Sequence, residues 1–228
     1  MKSQQSGFTL VEIAIVLVII GLLLGGILKG QELINSAKVK NIANDFRVIP
    51  TYIYAYQDKF KSLPGDDATV TSHVPGATAA TGGTLGNGVI EGSWNDASGT
   101  SEAFLFWQHV RLANLAAGPT DPTDATYRPV NAVGGNFGIS SNSAATATIA
   151  GMTGTYQVCS KGILGKFALQ LDVQMDDGQP CSGSMRAIPD VGASTAVGAT
   201  ASKTAAAPAS CTGAVMDPDV PYTVCMTF

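Results

Sequence analysis

Residues 8–28 read Phe-Thr-Leu-Val-Glu-Ile-Ala-Ile-Val-Leu-Val-Ile-Ile-Gly-Leu-Leu-Leu-Gly-Gly-Ile-Leu, an apolar run of 21 residues interrupted by a single charge, Glu12. A helix of that length rises roughly 30 Å, the thickness of a bilayer core. Residues 1–7, Met-Lys-Ser-Gln-Gln-Ser-Gly, are short, polar and carry one positive side chain. An ordinary signal peptide explains this arrangement badly. The apolar stretch is too long for a typical h-region, it carries an acid near its start, and no small-x-small cleavage site follows it. A plain membrane anchor explains the length but leaves Glu12 without a purpose. A carboxylate in an apolar span costs on the order of 2.5–3.5 kcal/mol and usually has a partner.

Working outward, the chain continues as a helix. Between Lys29 and Phe60 the apolar positions are Val39, Ile42, Phe46, Ile49, Ile53, Tyr56 and Phe60, spaced alternately three and four residues apart. That is the narrow seam of an amphipathic helix. Lys38, Lys40, Asn44, Asp45, Arg47 and Asp58 occupy the other face. Pro50 lies in the seam and is expected to kink the helix. Pro64 and Gly65 are expected to end it. A helix from Phe8 to about Ser62 would be roughly 80 Å long. Its first half needs lipid or neighbouring helices, and its second half can pack on a sheet.

The residues Gly7-Phe8-Thr9-Leu10-Val11-Glu12 resemble the processing signature of type IV prepilins: a glycine, a phenylalanine, and a glutamate as fifth residue of the mature chain. The resemblance is close over about residues 1–35. It implies that a prepilin peptidase cuts between Gly7 and Phe8 and methylates the new amino terminus on Phe8. Glu12 lies i+4 from Phe8, on the same helix face. In a filament it can meet the Phe8 amine of a neighbouring subunit, and such a pairing penalises misregister because either charge alone is costly. Where many pilins carry a proline, this chain has Gly21, Gly25, Gly26 and Gly30. These either weaken the helix locally, by roughly 1 kcal/mol each relative to alanine, or permit close helix packing. The resemblance further implies a ladle-shaped subunit of a helical homopolymer and an assembly machinery with a motor ATPase. The precursor would sit in the bacterial inner membrane, its amino terminus cytoplasmic and its head periplasmic. It would then move to a pilus at the cell surface or to a periplasmic pseudopilus.

The expected organisation is a leader over 1–7, a transmembrane or filament-core helix over 8–30, its amphipathic continuation over 31–62, and a globular α+β head over 63–228. Residues 65–100 are rich in Gly, Ala, Thr and Asp and read as a long loop or short strands. A second helix is expected from Ser101 to Ala117, capped by Thr100 or Ser98 and stopped by Gly118-Pro119. Its Phe104, Leu105, Trp107, Leu112 and Leu115 belong to the core. Strands are expected at Gly154–Cys159, Ala187–Val191 and Pro221–Phe228, and a short helix at Leu164–Met175 ended by Asp176-Asp177-Gly178. Ala193–Ala209 is almost all Ala, Ser, Thr and Gly and reads as an exposed loop. Strands separated by short turns pair antiparallel, with the helix covering one face.

Cys159, Cys181, Cys211 and Cys225 show no Cys-x-x-Cys spacing and lie far in sequence from His73 and His109, which argues against zinc. An even count in an exported chain favours two disulfides. Both Cys159 and Cys225 end a Tyr-x-Val-Cys run, so they are candidates for pairing across neighbouring strands, with Cys181–Cys211 as the second bridge. The alternative is Cys159–Cys181 with Cys211–Cys225. Pilins commonly staple their carboxy-terminal region with a disulfide, and either scheme does so.

Charged residues make up 13% of the chain and the net charge is −4, without a basic stripe, which argues against a nucleic-acid partner. No Gly-x-Ser-x-Gly elbow and no Walker-type Gly-Lys-Ser/Thr is present, so an enzyme is not expected. One constellation suggests a calcium ion: Asp66 and Asp67 at a turn, with Asn87 and Glu91 around tight glycines. The same residues also read as solvated turns whose side chains satisfy backbone groups. No other cofactor is expected. Three functional classes follow. The chain is a pilus subunit serving adhesion, motility or DNA uptake; or a type II secretion pseudopilin; or a membrane-anchored periplasmic binding module that never polymerises. The length and the low-complexity loop fit the pilus subunit slightly better.

Overall fold

The computed structural model describes residues 9–143, 146–190, 205–206 and 216–228. Helix α1 runs from Leu10 to Phe60 and passes through Pro50 without ending. Residues 1–38 and 39–228 form separate packing units. The boundary lies inside the segment read as the amphipathic continuation, because Val39 is the first helical residue that is buried. From there the three-four seam is buried without exception through Tyr56, and Phe60 is half-buried. The helix stops where Lys61 adopts a left-handed conformation (φ 56°) and donates its N–H to the Gln57 carbonyl at 2.8 Å.

Within the second unit, α2 (Val70–His73) is a single turn in the region read as loop. Helix α3 (Glu102–Leu112) is shorter than expected and is capped by Ser101, whose Oγ accepts from the Phe104 N–H at 3.3 Å. It ends early because Asn114, directly after the Ala113 cap, turns left-handed (φ 60°). The Arg111 guanidinium then gathers the following segment through the carbonyls of Ala117, Pro119 and Tyr127. Ten consecutive residues of α3, Glu102–Arg111, are buried. Its polar side chains act as fasteners for loops, as buried polar groups must. Gln108 bonds the Thr78 N–H and the Thr120 carbonyl. His109 accepts from Gly65 N–H at Nδ1 (2.9 Å) and donates from Nε2 to the Thr78 carbonyl (2.8 Å). Burial holds this imidazole below its ordinary pKa, in the neutral form those two bonds require.

The strands are β1 (Phe137–Ser141), β2 (Ile149–Ala150), β3 (Tyr156–Leu164), β4 (Met185–Pro189), β5 (Ala205–Ala206) and β6 (Pro221–Thr227), with α4 (Gly165–Met175) between β3 and β4. Four of them form an antiparallel sheet in the order β1-β3-β6-β4, giving an α+β architecture. β2 and β5 pair in parallel as a separate two-stranded element, so Ala205–Ala206 of the low-complexity segment is a strand rather than loop. One core joins the seam of α1, helix α3, the inner faces of β1 and β3, and Phe167, Ala168 and Leu171 of α4. Phe46 of α1 meets Phe137 of β1 edge to face, ring centroids 5.1 Å apart. The expected core members Phe104, Leu105 and Trp107 are buried, and Leu112 and Leu115 are half-buried.

Cys159 and Cys225 lie opposite each other on β3 and β6 and are disulfide-bonded. That is one of the two pairings left open by the sequence. Cys181 is also disulfide-bonded. The expected Cys181–Cys211 bridge involves Cys211, which lies outside the described residues.

Candidate functional site

The first helical stretch is described here by itself. From Leu10 to Leu28 every large aliphatic side chain is exposed, from 46% at Ile20 to 86% at Leu10. They cover the helix all round, and within this unit no described residue buries them. A helix apolar on every face is a membrane span or a core element of a larger packing. By length and composition α1 is able to cross a membrane. Gly21, Gly25, Gly26 and Gly30 have open space where a side chain would stand, leaving low points on this surface. An exposed Lys29–Glu32 ion pair at 2.7 Å marks the polar end.

Glu12 opens the helix. Its Oε2 accepts from the Thr9 N–H and from the Thr9 hydroxyl, each at 2.8 Å, and the Thr9 Oγ1 accepts from the Glu12 N–H at 3.3 Å. Thr9 and Glu12 thus form a reciprocal capping box that satisfies two amides the helix would otherwise leave open. The Thr-x-x-Glu spacing of Thr9 and Glu12 is the sequence signature of this motif, a local role for Glu12 beside the expected one in assembly. Oε1 takes no part in the box. Gly7 and Phe8 lie outside the described residues.

The acidic positions of the head are held one by one. Asp66 accepts from the N–H groups of Gly86, Asn87 (3.3 Å) and Gly88 (2.7 Å), so the loop wraps its carboxylate. Asp67 is buried and bonded to the Tyr56 hydroxyl (2.9 Å), to Thr69, and to His73 Nδ1 (2.7 Å). These bonds hold its pKa below the usual carboxylate range against the opposing effect of burial. Asn87 makes an Asx turn to the Val89 N–H at 2.8 Å, and Glu91 accepts from Thr84 N–H. Among the described residues, the three acidic groups whose ligand atoms converge are not these but Asp172, Asp176 and Asp177, which the sequence presents only as a helix stop.

Glu102, which follows the candidate calcium residues in sequence, stands apart from them. It is fully buried in the first turn of α3, its Oε2 accepts from Glu91 N–H at 2.8 Å, and Oε1 has no partner. A Cβ at Gly83 would press on the carboxylates of both Glu91 and Glu102, so a larger residue there would have to displace them. Burial first, then the charges of Asp66 and Glu91, push the Glu102 pKa up to about 7. No local pattern could have revealed this, because it depends on the 83–91 loop folding over the helix.

Residues 2–28 match the family model described as the prokaryotic N-terminal methylation motif. No curated protein and no solved structure gives a significant match to the chain. A helix with an exposed apolar surface from Leu10 to Leu28, opened by a capped glutamate in a chain with an α+β head, accords with that motif. The signature points to a structural subunit that is processed by prepilin peptidase and assembled into pilus-like polymers, with membrane anchoring before assembly. The chain carries at its amino-terminal end the signature of type IV pilins and pseudopilins.

Proposed function

We propose that this chain is the structural subunit of a type IV pilus-like filament. Residues 1–7 are the leader, 8–30 the filament-core helix, 31–62 its amphipathic continuation and 63–228 the head. The observation that carries the reading is the all-round aliphatic surface from Leu10 to Leu28. Lipid covers it in the precursor, and the same helix of neighbouring copies covers it in the filament. Prepilin peptidase cuts between Gly7 and Phe8 and methylates the Phe8 amine.

Glu12 then acts in register. In the single chain the capping box occupies Oε2 and softens the cost of a carboxylate in an apolar setting. Oε1 remains for the Phe8 amine of an adjacent subunit. A charge pair in such surroundings is directional, because a subunit arriving out of register leaves both charges unpaired. The head forms the outer surface of the filament.

Electron microscopy of sheared surface material, with mass spectrometry of the amino terminus, tests this. Filaments built of a chain beginning at N-methylated Phe8 are expected, and Glu12→Ala should abolish incorporation while leaving the chain in the membrane. A chain still beginning at Met1, confined to the membrane fraction, would overturn the proposal in favour of an anchored module. Filaments confined to the periplasm would assign it instead to a secretion pseudopilus.

A further inference from the structure

The last turn of α4 carries an arrangement that ordinary helix electrostatics disfavours. A helix carboxyl end bears partial negative charge and is stabilised by cations. Here the turn has no basic residue. It brings together three carboxylates: Asp172 in the helix, Asp176 at the cap and Asp177 after it. One oxygen from each lies within 4.8 Å of the others. Oxygens bound to one calcium ion at about 2.3–2.6 Å lie within about 5 Å of each other, so the cluster has the span of a coordination sphere.

The decisive feature is Asp172. It is 1% exposed and neither of its carboxylate oxygens has a hydrogen-bond partner. The Gly178 N–H is near enough to favour the charge slightly but falls short of hydrogen-bond geometry. Among the described residues no lysine or arginine forms an ion pair with any of the three acids. Burial, then the charges of Asp177 and Asp176, push the Asp172 pKa up to about 7. A buried carboxylate in this position needs a proton or a cation.

The neighbouring acids are held in place for a cation. Asp176 accepts from Met185 N–H (2.7 Å) and the Ser184 hydroxyl (3.2 Å). Asp177 accepts from Gln179 N–H (2.8 Å) and the Ser182 hydroxyl (2.7 Å). Gly178, at φ 79°, lets the chain turn back immediately after the acids. Glu102 is likewise buried, with one unpartnered oxygen, but differs in two respects. It sits at a helix amino end, where negative charge is favoured, and one of its oxygens is already bonded.

We propose that Asp172, Asp176 and Asp177 bind a calcium ion that closes the turn between α4 and β4. An all-oxygen donor set with no histidine or thiol selects a hard cation, and an irregular turn suits calcium better than the strict octahedron of magnesium. The ion would fix the turn that carries Cys181 and delivers Met185 into the sheet. The site is independent of the filament reading.

The test is calorimetric titration of calcium chloride into the full chain, purified in detergent micelles and stripped with EGTA. One ion per chain is expected, with Kd on the order of 10⁻⁴–10⁻³ M, as in extracellular modules. Calcium at about ten times Kd should raise Tm by roughly 3–5 °C. Asp172→Asn should weaken binding at least about tenfold. Asp177→Asn, at an exposed position that tolerates substitution, should weaken it too. Glu91→Gln should leave it unchanged. Absence of binding at about 10 mM calcium, or wild-type affinity in both aspartate variants, would overturn the proposal. Loss of binding in Glu91→Gln would move the ion to the Asp66–Glu91 loop and overturn it equally. Tighter binding of magnesium would overturn the assignment of the metal.

Discussion

Replacing Glu102 with glutamine should stabilise the head at pH 8 and leave it nearly unchanged at pH 5. Glu102 is fully buried, and its pKa rises from the ordinary 4.5 to about 7. That rise corresponds to ~3 kcal/mol at about 1.36 kcal/mol per pH unit. Because the folded-state pKa is the higher one, this stability is fully present below about pH 4.5, where the group is protonated in both states. It is lost as pH climbs through 7, because ionising a buried carboxyl costs the folded state more than the unfolded chain. Between pH 5 and pH 8 the loss is about 2.5 kcal/mol. For a unit of this size that is roughly 5–10 °C in Tm. Glutamine keeps an oxygen to accept from Glu91 N–H and offers an amide to the Glu91 carboxylate, without a charge to bury. Thermal melts followed by circular dichroism at both pH values, in EGTA, read the difference between wild type and Glu102→Gln. Asp172 titrates in the same window, so the comparison is between proteins rather than between pH values. If Glu102→Gln were equally destabilising at pH 5 and pH 8, the carboxyl would not be a buried group ionising near 7, and the reasoning would fail.

Two further outcomes are expected. Phe46→Ala removes a fully buried ring packed on Phe137 and should cost about 3–5 kcal/mol, lowering Tm by roughly 10 °C; a fall below about 2 °C would mean that the α1 seam does not anchor the sheet. The double variant Cys159→Ala, Cys225→Ala opens a cross-link between positions 66 residues apart. It should cost about 4 kcal/mol by loop-closure entropy, visible as a lower urea midpoint, and an unchanged midpoint would refute that contribution.

The elements with a strong local period were legible in the sequence. The three-four seam of α1 gives its buried face residue by residue, because seven apolar positions at helical spacing leave one way to pack them. The Tyr-x-Val-Cys runs point to β3 and β6, and α4 begins within one residue of expectation. β1 was invisible: Phe137–Ser141 reads Phe-Gly-Ile-Ser-Ser, and it is a strand because β3 offers it an edge. The early end of α3 was likewise hidden, since it is set by Asn114 and by an arginine that reaches carbonyls up to 16 residues away. At the amino-terminal site Glu12 stands out as a lone acid among aliphatics. The acidic groups of the head do not, because a carboxylate becomes unusual only when distant segments bury it.

The sheet order β1-β3-β6-β4 has a consequence for how the head comes into being. Of the four strands of this sheet, the last in chain order is an inner one, flanked by strands that precede it. Until residues 221–227 emerge, β3 and β4 have no common neighbour, and Cys159 has no access to its native partner. Oxidation in order of emergence would join Cys159 to Cys181, whereas the folded head joins Cys159 to Cys225. The native bridge is therefore a post-synthetic event. Either early thiols are kept from oxidising until the sheet closes, or a first set of bonds is reshuffled by thiol exchange. A cell that makes this chain in quantity depends on the timing of its oxidative folding machinery as well as on its rate.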